Sequence, residues 1–496
     1  MNTTDLKPTP AATLFLFGAH GDLAQRLLVP ALYRLCRAGL LNPETRIVGV
    51  DHNEATDEAF RERIAQALRA LASDPHAEGG GHALDHDCWC DFSPNIHYQT
   101  GDFLEDDTYA AIAQRLDEYG GNAIFYLGTA PRFFGPIVEH LAQAGLLREA
   151  QGAFRRVAVE KPFGIDLDSA RALNATLRRH LEETQIYRVD HFAGKDAARN
   201  LAVYRFASGF VEPFWHRDFI DSVQISAVET LGVEGRGRFY EATGALRDMV
   251  QNHLLQLLAL VAMEPPQGDT AADWQAAKTA AVAAIRCPKP AQAADDGVRG
   301  QYSAPPTGDG KAYRDEKNVE SDSTVETYVA LRLMLDTPRW QGVPFYLRTG
   351  KRLSRRATEI VIQFRQPQVP GVPTLPTPTR AILRLDPETL VLEWPLREPG
   401  PGNTLTCRQL ALNVDEALGQ RPGSGYETLL YGCLQGDATH FQSAQEVEAA
   451  WAAVAPFQAV WSQGTEPEFY HAGSDGPEGA RTLIERDGRQ WWEPAA

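Results

Sequence analysis

Two textures of apolar and polar positions divide the chain. Up to about residue 200, short unbroken apolar runs alternate with longer amphipathic stretches. Residues 13–18 (Thr-Leu-Phe-Leu-Phe-Gly), 46–50, 123–127 and 156–160 read as strands, because a continuous apolar run suits a strand buried on both faces. Helical stretches are predicted at about 23–39, then at 58–72, 107–119, 134–147 and 167–184. Strand and helix taken in turn imply a doubly wound parallel sheet of the Rossmann type. Beyond about residue 200 the pattern shifts to strands with few helices between them, at 222–228, 327–335, 359–364, 380–385 and 389–394. That pattern suits a mainly antiparallel sheet. One long apolar helix is predicted at about 244–263, and residues 287–310 read as a loop. The expected fold class is α/β plus α+β. Residues 1–187 would form a dinucleotide-binding domain, and 188–496 a larger substrate-binding and oligomerisation domain.

Composition narrows the partners. At 496 residues the chain is too long for one core, and a hydrophobic content of 43% is that of a soluble globular protein. The formal charge of -17 makes nucleic acid and anionic membrane poor partners, and it makes any local cluster of cations informative. Residues 1–10 lack a basic start and an apolar run, and the apolar runs are too short to span a bilayer. The expected location is cytoplasmic, with the six cysteines as reduced thiols.

Candidate chemistry begins at Gly18-Ala-His20-Gly21-Asp22-Leu23-Ala24, which follows a buried strand and opens a helix. Its glycines let backbone N–H groups approach a pyrophosphate, and a helix N-terminus favours that charge. A tight turn with no ligand is the plainer reading of this pattern. Asp51 ends the second strand, where a carboxylate accepts hydrogen bonds from ribose hydroxyls and suits NAD; a solvated loop aspartate is the alternative. His52 stands where an arginine would be expected for NADP. Three cations (Lys161, Arg188, Lys195) and two acid/base groups (Asp190, His191) fall in one short stretch, which suits an anionic sugar and a proton acceptor. In the long helix, His253 accompanies Asp248 and Asn252, a costly set to bury without purpose. Asp248 and His253 are five residues apart, about 140° around an ideal helix, so both reach one pocket only if the pocket wraps the helix or its first turn is irregular. Lys351, in Arg348-Thr-Gly-Lys351-Arg352, forms a basic turn after a strand, and Arg356 follows. His82, His86, Cys88, Cys90 and His97 match no standard zinc spacing, and no metal is expected.

Taken together, these blocks resemble the glucose-6-phosphate dehydrogenase family over nearly the whole chain. The resemblance rests on Gly18-x-x-Gly-Asp-Leu-Ala, Glu160-Lys-Pro-Phe-Gly, Arg188-Val-Asp-His-x-x-Gly-Lys, Gln251-Asn-His-Leu-Leu-Gln and Gly342-Val-Pro-Phe-Tyr-Leu-Arg-Thr-Gly-Lys. It implies oxidation of the C1 hydroxyl of glucose 6-phosphate to 6-phospho-glucono-1,5-lactone, with hydride passing to NAD+ or NADP+. By the same resemblance His253 is the general base and Asp190 orients its imidazole. His191 and Lys195 would grip the sugar phosphate, and Glu229, Asp248 and Lys351 the sugar hydroxyls. Lys161 would lie between sugar and coenzyme. Gly18, His20, Gly21, Asp22, Leu23, Asp51 and His52 would hold the coenzyme, and the enzyme would be a homodimer or homotetramer.

Several positions depart from the family pattern. Phe192 replaces a tyrosine, Gln25 and Leu27 replace lysines, and Arg356 replaces a lysine. His20 replaces a serine or threonine, and His52 the arginine that holds the NADP 2′-phosphate. Asp51 and His52 together favour use of NAD. Phe192, Leu27 and Arg356 also raise a rival, a relative acting on another C6-substituted hexose; the rival from another class is a non-catalytic regulatory paralogue that binds sugar phosphate or nucleotide.

Overall fold

The computed structural model describes residues 6–74, 80–81, 83–150, 152–308, 310–419, 423–464 and 466–494. The chain forms two compact units. The first spans residues 1–196 and also takes in 266–276 and 422–448; the second holds 197–265, 277–421 and 449–496.

The first unit is built on a six-stranded sheet. Its strands are β1 (Ala12–Phe17), β2 (Arg46–Asp51), β3 (Ile96–Thr100), β4 (Asn122–Leu127), β5 (Arg155–Glu160) and β6 (Ile186–Val189). They lie in the order β3-β2-β1-β4-β5-β6, and every neighbouring pair is parallel. Every residue of β1 is buried, as its unbroken apolar run requires. The connections carry α1 (Val29–Arg37), α2 (Asp57–Ser73), α3 (His86–Phe92), α4 (Asp106–Tyr119), α5 (Phe134–Gln143) and α6 (Leu167–His180). A four-residue α7 (His191–Gly194) follows β6. Leu14, Leu16, Ile47, Ile124 and Tyr126 meet α1 and a helix from far along the chain, Tyr426–Gln435, through Leu429, Leu430 and Leu434. The strand order reverses between β1 and β4, and such a switch point opens a crevice at the carboxyl ends of the strands.

The second unit holds a nine-stranded mixed sheet. Its strands are β7 (Ile220–Val228), β8 (Gly297–Ser303), β9 (Tyr328–Met334), β10 (Pro344–Gly350), β11 (Ala357–Phe364), β12 (Arg380–Leu385), β13 (Glu388–Arg397), β14 (Leu405–Asn413) and β15 (Glu468–His471). Their order is β14-β13-β12-β11-β7-β10-β9-β8-β15. β7 and β10 are parallel, as are β8 and β15; the other neighbours are antiparallel.

Two expectations need correction. Residues 287–310 are not a loop: they contain a helix, Pro290–Asp296, and then β8. β8 pairs on both edges, so its glycines and glutamine are strand residues by position rather than propensity. The helix predicted at 244–263 is not one α-helix either. An α-helix covers Gly237–Ala245 but breaks at Gly244 (φ 64°), a π-helical segment runs Leu246–Leu254, and an α-helix resumes over Leu255–Ala262.

Candidate active site

The turn after β1 is shaped by backbone contact. Gly18 has φ +87°, and a Cβ on it would lie 2.5 Å from the carbonyl oxygen of Gly128, which follows β4. Only glycine fits there, and the contact lies at the switch point between β1 and β4. The Gly18 N–H donates to the Val50 carbonyl at 2.9 Å, and Gly21 N–H donates to Gly18 at 2.9 Å. A short π-helical turn, Ala24–Leu28, leads into α1. Gln25 reaches back to donate to the His20 carbonyl at 2.9 Å. Asp22 faces solvent and pairs with Arg26 at 3.2 Å, and Leu23 precedes the π turn.

Asp51 is 5% exposed, so it is not a solvated loop carboxylate. Its Oδ2 accepts the His20 backbone N–H at 3.1 Å, and its Oδ1 accepts from Asn53 at 3.0 Å and faces His52 Nδ1 at 2.9 Å. A carboxylate has about four lone-pair sites, so acceptor capacity remains for a ribose. The Tyr98 hydroxyl donates to the Asn53 carbonyl at 2.6 Å and therefore accepts from His20 Nδ1 at 2.9 Å. That assigns the His20 proton to Nδ1. Burial, then the nearby Arg63 charge, holds the His20 imidazole below its ordinary value. Arg63, an exposed residue of α2, was not singled out from the sequence because its place beside His20 depends on how α2 packs.

The ends of β5 and β6 carry the next group. Asp190 is 1% exposed and caps α7, its Oδ1 accepting the Phe192 N–H at 3.0 Å. The His191 ring stands across the Phe192 ring at 4.9 Å and lies parallel to the Tyr426 ring at 6.0 Å. Lys195 Nζ sits 5.0 Å from the Phe192 ring centroid, so the phenylalanine supports a cation with its face. Gly194 is required by a close approach: a Cβ there would lie 2.3 Å from the Gly425 carbonyl oxygen. Lys161 follows the buried Glu160 and acts on its charge. Arg188, one of the three clustered cations, turns inward instead. It is 1% exposed, bound to Glu183 at 2.6 Å and to Asn174 at 3.1 Å.

In the second unit the π-helical segment resolves the spacing of Asp248 and His253. The Leu255 N–H reaches the Val250 carbonyl five residues back. Asn252 is spliced into this ladder: its Oδ1 accepts the His253 N–H at 2.6 Å and its Nδ2 donates to the Arg247 carbonyl at 3.3 Å. This i→i+5 bonding winds the segment more widely than an α-helix, which lessens the angle between Asp248 and His253. Both are buried, His253 at 1% exposure. Glu326 holds the start of the segment through the Leu246 N–H at 3.1 Å.

Parallel neighbours β7 and β10 end at the same level, with Val228 opposite Gly350. The next residues, Glu229 and Lys351, are therefore delivered side by side as an ion pair. Lys351 Nζ lies 5.4 Å from the ring centroid of buried Tyr240. Burial first, then the charge of Asp248, raises the Tyr240 hydroxyl well above its ordinary value, so it remains a neutral donor. Tyr240 and Glu326 went unnoticed in the sequence, since neither lies in a motif. Arg356 stands apart, exposed and paired with Asp386 at 2.6 Å.

The histidines and cysteines of 82–97 go separate ways. Cys88 meets Cys36 at 3.7 Å, Cys90 meets His86 at 3.8 Å, and His97 pairs with Asp57 at 2.9 Å; His82 lies outside the described residues. All six cysteines are free thiols. A cavity of about 740 Å³ in the second unit, lined by Phe206, Glu212, His216, Arg217, Glu264 and Arg339, includes none of the expected site residues. Among the described residues, no helix is long and apolar enough to cross a membrane.

Comparison with known proteins gives concordant matches. Residues 15–200 match the model of the glucose-6-phosphate dehydrogenase NAD binding domain, and residues 202–492 that of the family's C-terminal domain. The chain is 41% identical to glucose-6-phosphate 1-dehydrogenase of Mycolicibacterium smegmatis, with 100% of both chains covered. Among solved structures, glucose-6-phosphate 1-dehydrogenase from Mycobacterium avium is 37% identical with a TM-score of 0.83, covering 98% of this chain and 99% of that one. A glucose-6-phosphate dehydrogenase in complex with glucose 6-phosphate is 29% identical with a TM-score of 0.89, over the same shares of the two chains.

Proposed function

Because the chain belongs to the glucose-6-phosphate dehydrogenase family, we propose that it oxidises the C1 hydroxyl of D-glucose 6-phosphate to 6-phospho-glucono-1,5-lactone. A nicotinamide dinucleotide supplies the hydride acceptor. The observation that carries this reading is the π-helical segment Leu246–Leu254, which buries His253 and the carboxylate of Asp248 together with Gln251 and Asn252.

His253 is the general base and takes the C1 hydroxyl proton on its imidazole. Asp190 supplies the charge that steadies the imidazolium. Asp248, Glu229 and Lys351 hold sugar hydroxyls, with Tyr240 beside them as a neutral donor. His191 and Lys195 bind the phosphate, the lysine braced on Phe192. Arg356 lends positive charge at longer range, since Asp386 competes for it. The glycine turn fits a pyrophosphate: Gly18 allows no side chain, and the turn opens onto the start of a helix, whose N-terminus favours that charge. Lys161 lies between sugar and coenzyme.

NAD+ is accepted and favoured. A 2′-phosphate would meet the buried Asp51 carboxylate, and His52 stands facing that carboxylate at 2.9 Å where an arginine would be expected for NADP. Free thiols throughout suit a cytoplasmic site of action. Mixing the protein with glucose 6-phosphate and each coenzyme tests the reading: NADH or NADPH must form in step with lactone, and absence of both products overturns it.

A further inference from the structure

Glu160 is the last residue of β5, and the mechanism above gives it no role. It is 7% exposed, and a buried carboxyl is costly where an apolar residue would fill the space. Its Oε1 accepts the hydroxyl of Tyr126, on the adjacent parallel strand β4, at 2.6 Å. Tyr426 hydrogen-bonds the same carboxyl. Tyr426 opens the helix Tyr426–Gln435, and its ring lies 6.0 Å from that of His191 with an interplanar angle of 7°. The tyrosine is fixed at a third point, its backbone N–H donating to Ser424 Oγ at 3.3 Å. The preceding residue must be glycine, because a Cβ on Gly425 would lie 2.7 Å from the His191 carbonyl oxygen.

We propose that Glu160, clasped by Tyr126 and Tyr426, is a positioning residue that fixes the His191 ring for the sugar phosphate. The proposal rests on the reading of His191 as a phosphate-binding group. The carboxyl sets the Tyr426 hydroxyl, the rigid phenol sets its ring plane, and that plane supports the imidazole. A carboxyl can hold two phenols at once, whereas an apolar residue would leave both hydroxyls unpaired. The charged and titratable groups around the cluster are Lys161 at the end of β5, Asp190 at the end of β6, and Cys433, on the same helix as Tyr426, which acts on Tyr126.

Steady-state kinetics on E160Q, Y426F, H191N and the H191N/Y426F double variant, each shown to be folded by circular dichroism at the assay temperature, test this. E160Q and Y426F should raise the KM for glucose 6-phosphate about twofold to tenfold, the loss expected for one neutral hydrogen bond. The KM for coenzyme and kcat should move less. In the H191N background Y426F should add nothing, because the residues act through one contact. An unchanged sugar KM in both E160Q and Y426F overturns the proposal while leaving the phosphate reading intact. So does a Y426F effect that persists undiminished in the H191N background. An H191N enzyme with normal sugar KM overturns the reading of His191 and the proposal together.

Discussion

Buried carboxyls do much of the local work in this chain, and Glu160 makes the effect measurable. Burial, only partly offset by the Tyr126 hydrogen bond, raises its carboxyl from 4.5 to about 7. Between those values the folded chain holds a proton that the unfolded chain has released. Glu160 therefore stabilises the fold fully below about pH 4.5, and that stability declines as pH rises to about 7. Urea unfolding at about pH 5 and about pH 7.5 should show E160Q gaining on the wild type at the higher pH; equal shifts at both would contradict it. Asp51 acts differently, tying His20, Asn53 and His52 into one turn. Initial rates should favour NAD+ over NADP+, and a strong NADP+ preference would refute this role. Arg63, whose charge acts on both His20 and Tyr98, is the residue expected to support whatever NADP+ use remains. R63A should raise the KM for NADP+ more than that for NAD+. The motifs announced Asp51, Asp190 and His253, but not Arg63, Tyr240, Glu326 or Tyr426. Those four act through neighbours far away in the chain, which no local pattern displays.

At the scale of elements, the most consequential one is the π-helical stretch Leu246–Leu254. Its sequence predicts a helix and nothing about pitch. The mismatch between a five-residue spacing and an α-helical turn was visible, and the spliced Asn252 amide supplies the cause. N252A should leave the His253 N–H without its side-chain acceptor, cost about 1–3 kcal/mol of stability and lower kcat. Chemical denaturation and turnover check both, and an N252A enzyme unchanged in each would dismiss the splice. β1, β2, β4 and β5 of the first unit were legible because each carries an apolar run whose residues are buried. β3 (Ile-His-Tyr-Gln-Thr) and β6 (Ile-Tyr-Arg-Val) were not, since their polar members find tertiary partners. Arg188 is the plainest case, a buried strand arginine neutralised by Glu183. β8, with two glycines and a glutamine, reads as a loop until its neighbours on both sides are known.

Over the whole molecule, the two textures of the sequence correspond to a parallel and a mainly antiparallel sheet. The divided membership of the first unit was not legible. Residues 266–276 and 422–448 rejoin it after long excursions, and the second excursion brings Tyr426 to His191. A subunit contact is expected on the second unit. Trp394, Leu396, Leu410 and Leu412 are exposed on β13 and on the sheet edge strand β14. Apolar side chains gathered on an edge strand call for a partner. Sedimentation should find an oligomer, and L410E/L412E should shift it toward monomer; a monomeric wild type would contradict this placement.

The identity of the base is tested most directly by the turnover of H253A on glucose 6-phosphate with saturating coenzyme. The account predicts that kcat falls by roughly 10²–10⁴ while the sugar KM stays within a few-fold. A folded H253A enzyme that turns over at a near-normal rate would contradict it.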